Sequence, residues 1–353
     1  MTSLWSTLSS RLGLVVPFGI ALALILVQAI YWFVVAGQIE NRAQTQMETL
    51  RAAGYTVSDE GLRISGYPFR FTVTSENARI GAPPQEGGWT AQIDQIVASA
   101  QFYNLSHWIV SLGNSAVLDV PYNGRDERYE LSSENARFSV VLRNQRTSRI
   151  GAEILNLSIA SDTPDGPWVE SVERAILNGF VDSDDVFQLR VQAENTQMGQ
   201  NRIPESVSDE FGRTAELVRI QAQFSQWSAL ATANPARWYE ANGQLTVERA
   251  QLVWGAADLQ GMGDIALDSA LLPEGRLSLV VTDPNTLITA LVRSGLVYEE
   301  QGEALRLFAL MAPRRETGIA LPFRLQHGAL FLGPARLGGI QPPNGDETPD
   351  NPE

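Results

Sequence analysis

Two patterns of apolar residues divide the chain. From Leu12 to Ala36 they form a nearly continuous run without a single charge, and beyond Gly54 they alternate with polar residues at a spacing of two. A hydrocarbon core is spanned by about 20 apolar residues in helical form, so the first pattern predicts a membrane helix over residues 12–36. Trp5 before the run, and Tyr31 and Trp32 near its far end, are side chains that favour the headgroup layer. The alternative is a long signal peptide. Its apolar core is usually about 7–15 residues, and no small-x-small pattern closes this run, where Val34, Val35 and Ala36 offer one small residue. Gln38 to Ala53 continues at helical spacing, with Ile39, Met47 and Leu50 among polar neighbours and Gly54 as its stop. A helical stalk over 37–53 is expected.

The alternating region predicts half-buried strands. Phe69, Phe71 and Val73 face away from Arg70, Thr72 and Thr74; Leu155, Leu157 and Ile159 share a face; so do Phe187, Leu189, Val191 and Ala193. From Asn242 to Thr282 the odd positions Leu259, Gly261, Gly263, Ile265 and Leu267 continue, after a turn at Pro273 to Gly275, into Leu277, Leu279 and Val281. Upstream, Leu245 and Val247 are in phase with them and Ala250, Leu252 and Trp254 are not, so a one-residue slip belongs near Glu248 and Arg249. Helical spacing returns only between Pro284 and Met311. Leu287, Ile288, Leu291 and Val292 form one stripe behind an Asp283 cap, and Leu307, Leu310 and Met311, with Phe308 alongside, form another. Ile319 to Leu332 reads as two strands around a turn at His327 and Gly328. Two short echoes, S-E-N-A-R at 75–79 and 133–137 and V-E-R-A at 172–175 and 247–250, have no common period.

Composition narrows the function. With 44% hydrophobic residues the body can bury a substantial core, and a net charge of -14 argues against nucleic acid, whose phosphates require clustered cations. Cysteine is absent, and every basic residue is Arg, which removes thiolate metal sites, cysteine nucleophiles and lysine chemistry. His107 and His327 are the only histidines, and no G-x-S-x-G elbow accompanies them. Asp182, Asp184 and Asp185 lack the glycine and distal Glu of a calcium loop and read as a solvated turn. Gly255, Gly261 and Gly263 lie within strands and open no helix, so they are not a dinucleotide fingerprint. No catalytic residue, cofactor or metal is expected.

The segments G-Y-P-F-R-F (Gly66 to Phe71), G-Q-L-T-V-E-R-A-Q-L-V-W-G (Gly243 to Gly255) and L-P-F-R-L-Q-H-G-A-L-F-L-G-P (Leu321 to Pro334) resemble an uncharacterised bacterial family, domain of unknown function 2125. The G-x-L-x-V strand style is similar to that of AsmA-like envelope proteins. That resemblance implies a curved sheet with a hydrophobic interior and a link to phospholipid movement, although this chain is too short to bridge an envelope alone.

The expected protein is mainly β: a membrane helix, then a large curved antiparallel sheet, half-barrel or sandwich, with a short helical pair before the last strands. The expected organisation is a cytoplasmic amino terminus at 1–11, the anchor at 12–36, the stalk at 37–53, a periplasmic β-rich body at 54–340 and a disordered acidic tail at 341–353. Too few helices are foreseen to cover the one-sided strands, so the sheet must cover itself or present a groove. The candidate lining is Phe69, Phe71, Leu259, Ile265, Leu267, Leu277 and Leu279, for phospholipid acyl chains. Partners are expected to be the bilayer, such acyl chains or other envelope proteins; a scaffold acting through protein contacts is the alternative function.

Overall fold

The computed structural model describes residues 6–122, 125–143, 146–231, 234–315, 318–332 and 335–339. The protein is mainly β, with 52% strand and 25% helix, and its strands pair antiparallel. Two compact units divide the chain between Glu127 and Arg128. The expected disordered tail at 341–353 lies outside the described residues.

The first unit begins with α1 (Ser6–Ala52), one helix of 47 residues in which the foreseen anchor and stalk are continuous. Among the described residues it alone is long and apolar enough to cross a membrane. It ends where expected: Gly54 adopts φ +92°, and the Tyr55 N–H returns to the Leu50 carbonyl. The strands β1 (Thr56–Ser58), β2 (Leu62–Ser65), β3 (Arg70–Gly81), β4 (Thr90–Gln101), β5 (Asn104–Leu112) and β6 (Ser115–Tyr122) follow. Both β1 and β2 pair with β3, β3 pairs with β4, and β4 pairs with β5 and β6. Trp32 of α1 lies flat on the fully buried Phe71 of β3, with ring centroids 5.3 Å apart and planes 11° from parallel. Its indole N–H donates to the Arg70 carbonyl at 3.0 Å. Trp32 is therefore a packing residue of the body and not a free headgroup ring.

The second unit takes most of β7 (Arg125–Ser132) and then β8 (Asn135–Arg143), β9 (Arg146–Ser161), β10 (Val169–Val181), β11 (Phe187–Met198), β12 (Thr214–Phe224), β13 (Leu245–Trp254), β14 (Ala257–Leu267), β15 (Pro273–Val281), β16 (Arg314–Arg315), β17 (Gly318–Gln326), β18 (Ala329–Leu332) and β19 (Ala335–Gly339). From β8 to β15 each strand pairs with the next in sequence; β15 then pairs with β17, β17 with β18 and β18 with β19. Among the described residues five helices interrupt the strands: α2 (Glu205–Phe211), α3 (Trp227–Leu230), α4 (Pro235–Glu240), α5 (Pro284–Arg293) and α6 (Glu299–Met311).

Helical structure is thus not confined to 284–311, as the spacing implied. The seven-residue α2 buries Val207 and Phe211, one turn apart, a pair too short to stand out in the sequence. α5 follows its expected cap, the Asp283 carboxylate accepting from the Thr286 N–H at 3.1 Å. In α6 the foreseen stripe faces outward: Leu307, Leu310 and Met311 are exposed, and Phe308 is the side chain that packs inward. The turn at His327 and Gly328 has φ +50° and +72° between the paired Gln326 and Ala329, a two-residue loop with both central residues left-handed.

Strand phase is adjusted at defined places. Val247 faces Ala222 and Arg249 faces Gln221, so Glu248 is the extra residue of the foreseen bulge in β13. A second set of slips crosses four neighbouring strands together. The less exposed positions change parity between Ile154 and Leu157, Ala175 and Val172, Ala193 and Thr196, and Val218 and Ala215, of which Val172, Thr196 and Ala215 are buried, and Leu157, Val172, Thr196 and Ala215 are paired in register. Asn156 and Asn195, inside two of these slips, have φ +50° and +49°, a region Asn tolerates better than other side-chain-bearing residues. The Asn156 amide donates to Glu134 at 2.6 Å, and that of Asn195 donates to Glu173. In the first unit Asn77, φ +50°, donates to Glu60 at 2.6 Å. The S-E-N-A-R echoes take part in this device, one through Asn77 and the other through Glu134.

Deleting Glu248 leaves Leu245, Val247, Ala250 and Leu252 in one unbroken alternation, so that variant is expected to unfold cooperatively with a modest loss of Tm. Deleting Met262 from the unbulged β14 turns Ile265 and Leu267 onto the opposite face. It is expected to cost up to about 1.5–3 kcal/mol for each side chain moved, read by urea unfolding followed by circular dichroism.

Candidate functional site

The register of the second unit aligns its apolar residues into rows that run across the strands. One row passes from β8 to β17 through Phe138, Ala152, Leu177, Val191, Ile220, Ala250, Gly261, Leu279 and Leu321. Beside it run Val140, Ile150, Gly179, Leu189, Ala222, Val247, Gly263, Leu277 and Phe323. On its other side run Ala136, Ile154, Ala175, Ala193, Val218, Leu252, Leu259, Val281 and Ile319. Every member is apolar. Nine strands at about 4.8 Å spacing make this face about 38 Å wide. The opposite face is polar over most of the same width, with Arg137, Glu153, Gln192, Arg219, Gln251 and Gln260 in register around a single Ile176. On that face Arg174 pairs with Glu153 at 2.7 Å and Arg219 donates to Gln192 at 2.9 Å.

Helices cover one side of the apolar face. Val207 and Phe211 of α2 and Ala290 of α5 form a buried cluster that takes in Leu259 and Trp254. Val281, Ala312 and Ile319 form another, with Leu279, Leu321 and Phe308 of α6 against it. On β8 to β12 most row positions are half-buried, and Ile220, in the middle row, is 40% exposed.

The foreseen lining separates accordingly. Leu259 and Leu279 belong to the clusters beneath the helices; Ile265, Leu267 and Leu277 are half-buried farther along the same strands. Phe71 is sealed under Trp32. Phe69 does not continue the β3 alternation, because the strand starts at Arg70 and Phe69 lies in the preceding turn, 71% exposed. Sequence reasoning missed the members of β8, β10 and β12, and on β9 it set Leu155 on one face with Leu157, whereas Leu155 pairs with Arg174 on the polar face and Ile150, Ala152 and Ile154 are the row members. A shallow depression of about 470 Å³ on β14, β15 and β17 is lined by Met262, Leu277, Pro322 and Phe323 and flanked by Arg276 and Arg324.

Among the polar groups, His327 stands at the β17–β18 turn with its Nδ1 2.8 Å from Asp268 Oδ2. Asp268 is buried, and its Oδ1 accepts the N–H groups of Ala270 and Leu272, each at 2.9 Å. The Leu272 N–H, then His327 and the Ala270 N–H, hold this carboxyl below its usual pKa. The carboxylate ties the β14–β15 turn to the β17–β18 turn. The other histidine, His107, belongs to β5 of the first unit. Asp182 likewise closes a turn, accepting from the Asp184 and Val186 N–H groups at 3.0 Å, and Asp185 accepts from Ser228. Among the described residues no cluster of three or more His, Asp or Glu has metal-binding spacing.

These features define a mainly β protein with an amino-terminal helix of membrane-spanning length and a second unit that is apolar on one sheet face. The chain belongs to the family described as uncharacterized protein conserved in bacteria (DUF2125), which it matches over residues 32–341. No curated protein and no solved structure matches it.

The Asp268 network makes stability depend on acid. A carboxyl with a lowered folded-state pKa contributes stability that is complete above the unfolded value, about 3.9, and is lost as pH falls toward the folded one. Asp268→Asn is expected to lower Tm at pH 7 and to flatten the dependence of Tm on pH below about 4. Thermal melts from pH 2 to 7 measure both.

Proposed function

We propose that this is a singly anchored, non-enzymatic envelope protein, with its body in the periplasm, that binds phospholipid acyl chains on the apolar face of the second unit. The observation that carries the reading is the unbroken register of apolar rows over nine strands, with helices over only part of them. Soluble monomers rarely expose apolar patches beyond about 300–600 Å², and those that do use them for binding. Each acyl methylene moved from water onto such a surface gains about 0.8 kcal/mol, so a few turns of chain contact suffice for useful affinity. The charge of -14 disfavours anionic headgroups, so the tail is the part of a lipid this surface suits. The resemblance to AsmA-like envelope proteins points to the same ligand class.

A scaffold role is the second reading, and the exposed Leu307, Leu310 and Met311 stripe of α6 favours it. The two are separable. Native mass spectrometry of the detergent-extracted protein is expected to show co-purified phospholipid, severalfold less of it in Ile220→Glu, with Leu310→Asp unchanged. Wild-type protein without lipid, or an Ile220→Glu variant with the full complement, refutes acyl-chain binding. Loss of a co-purified protein partner in Leu310→Asp alone supports the scaffold.

A further inference from the structure

The anchor helix and two strand turns of the first unit meet at one level. Gln28 of α1 donates to the Pro68 carbonyl at 3.0 Å, Tyr31 donates to the Phe102 carbonyl at 3.3 Å, and Trp32 donates to the Arg70 carbonyl at 3.0 Å. Pro68 lies in the β2–β3 turn and Phe102 in the β4–β5 turn, so both turns are fastened to the helix over little more than one helical turn. At these turns Tyr67, Phe69 and Tyr103 are 45%, 71% and 75% exposed, and Phe33 of α1 stacks on Tyr67. Tyr67 touches Trp32 and Phe33 and Tyr103 touches Phe102 edge-on, yet much of each of these rings, and most of Phe69, is left uncovered by the body.

The length of α1 supplies one. Arg11 is the last charge before the apolar run, and at 1.5 Å per residue Trp32 stands about 31 Å farther along the helix, close to the thickness of a hydrocarbon core of about 30 Å. Between them Ile20, Leu22, Leu24, Ile25, Leu26, Val27 and Ile30 are exposed, as lipid-facing side chains are. With Arg11 at one boundary, the level of Gln28 to Trp32 falls at the other, where aromatic rings are favoured.

We propose that Tyr67, Phe69 and Tyr103 form a collar around α1 that inserts into the headgroup and acyl boundary of the bilayer the helix crosses. The hydrocarbon-spanning part is then Leu12–Tyr31, and beyond it Trp32, Val35 and Ala36 pack on the body while Phe33 and Val34 stay exposed at the boundary. The first unit is seated on the membrane and does not hang from it on a free stalk. This inference rests on the anchoring part of the reading above and is independent of acyl-chain binding by the second unit.

Because the chain has no cysteine, a single introduced one carries a spin label uniquely. The full-length protein, reconstituted in phosphatidylcholine vesicles, would carry the label at Phe69→Cys, Tyr103→Cys, Leu24→Cys or Asn114→Cys. Asn114 follows the far end of β5, whose nine residues at about 3.3 Å each set it about 30 Å or more from Tyr103. Collision with a water-soluble nickel chelate and with oxygen reports depth. Labels at 69 and 103 are expected to collide with the chelate severalfold less than the label at 114, and to lie shallower than the label at 24. Labels at 69 and 103 as accessible as that at 114, with the label at 24 protected, overturn the collar and leave the anchor standing. A label at 24 open to the chelate overturns the anchor and the collar together.

Discussion

Register between strands is the constraint on which the second unit depends. Alternation along one strand yields only a half-apolar ribbon; a face arises when neighbouring ribbons agree about which half is which. Here the agreement extends from Phe138 to Leu321 without a polar residue in any of three rows. A single uncorrected slip would interleave Arg219 or Gln251 with Ile220 and Ala250, so phase errors must be either absent or shared. The Glu248 bulge corrects one strand. The slips around Asn156 and Asn195 are made by four strands together, with Leu157, Val172, Thr196 and Ala215 still opposite one another.

The same asparagines show how polar groups are accommodated along such a slip. A left-handed residue inside a strand leaves its ladder position unmade, and the side-chain amide takes up a carboxylate across the sheet instead. Glu134 and Glu173 serve this purpose in the second unit and Glu60 in the first. In the apolar run of α1, Gln28, Tyr31 and Trp32 carry polar atoms, and each finds a backbone carbonyl of the body, which for the part-buried Gln28 and Trp32 avoids the cost of an unpaired donor.

Much of the fold was legible in the sequence where a local rule decides it. The helix length, its stop at Gly54, the Asp283 cap, the slip at Glu248 and the His327–Gly328 turn each follow from spacing or backbone freedom within a few residues; the turn expected at Pro273 to Gly275 falls instead at Asp268 to Leu272, closed by the buried Asp268 carboxylate, and Pro273, Glu274 and Gly275 are already paired in β15. What escaped depends on distant partners. Phe69 has the right parity for β3, but the chain turns there; α2 is too short for periodicity to show; and Leu307, Leu310 and Met311 have a core-like stripe that the fold leaves outside. The five lining residues from Leu259 to Leu279 were readable as one face. Phe138, Leu177 and Ile220 join them only through pairing. The partners of the echo carboxylates, Asn156 for Glu134 and Asn195 for Glu173, are 22 positions away in each case.

From β8 to β15 every strand lies beside the one made just before it. Such a ribbon needs no distant segment to begin folding, because each finished strand offers the next a ready edge and even the connections that hold α2, α3 and α4 close locally. A chain emerging amino end first would build up in the order of synthesis. At any moment only one growing edge would be left open to misassembly.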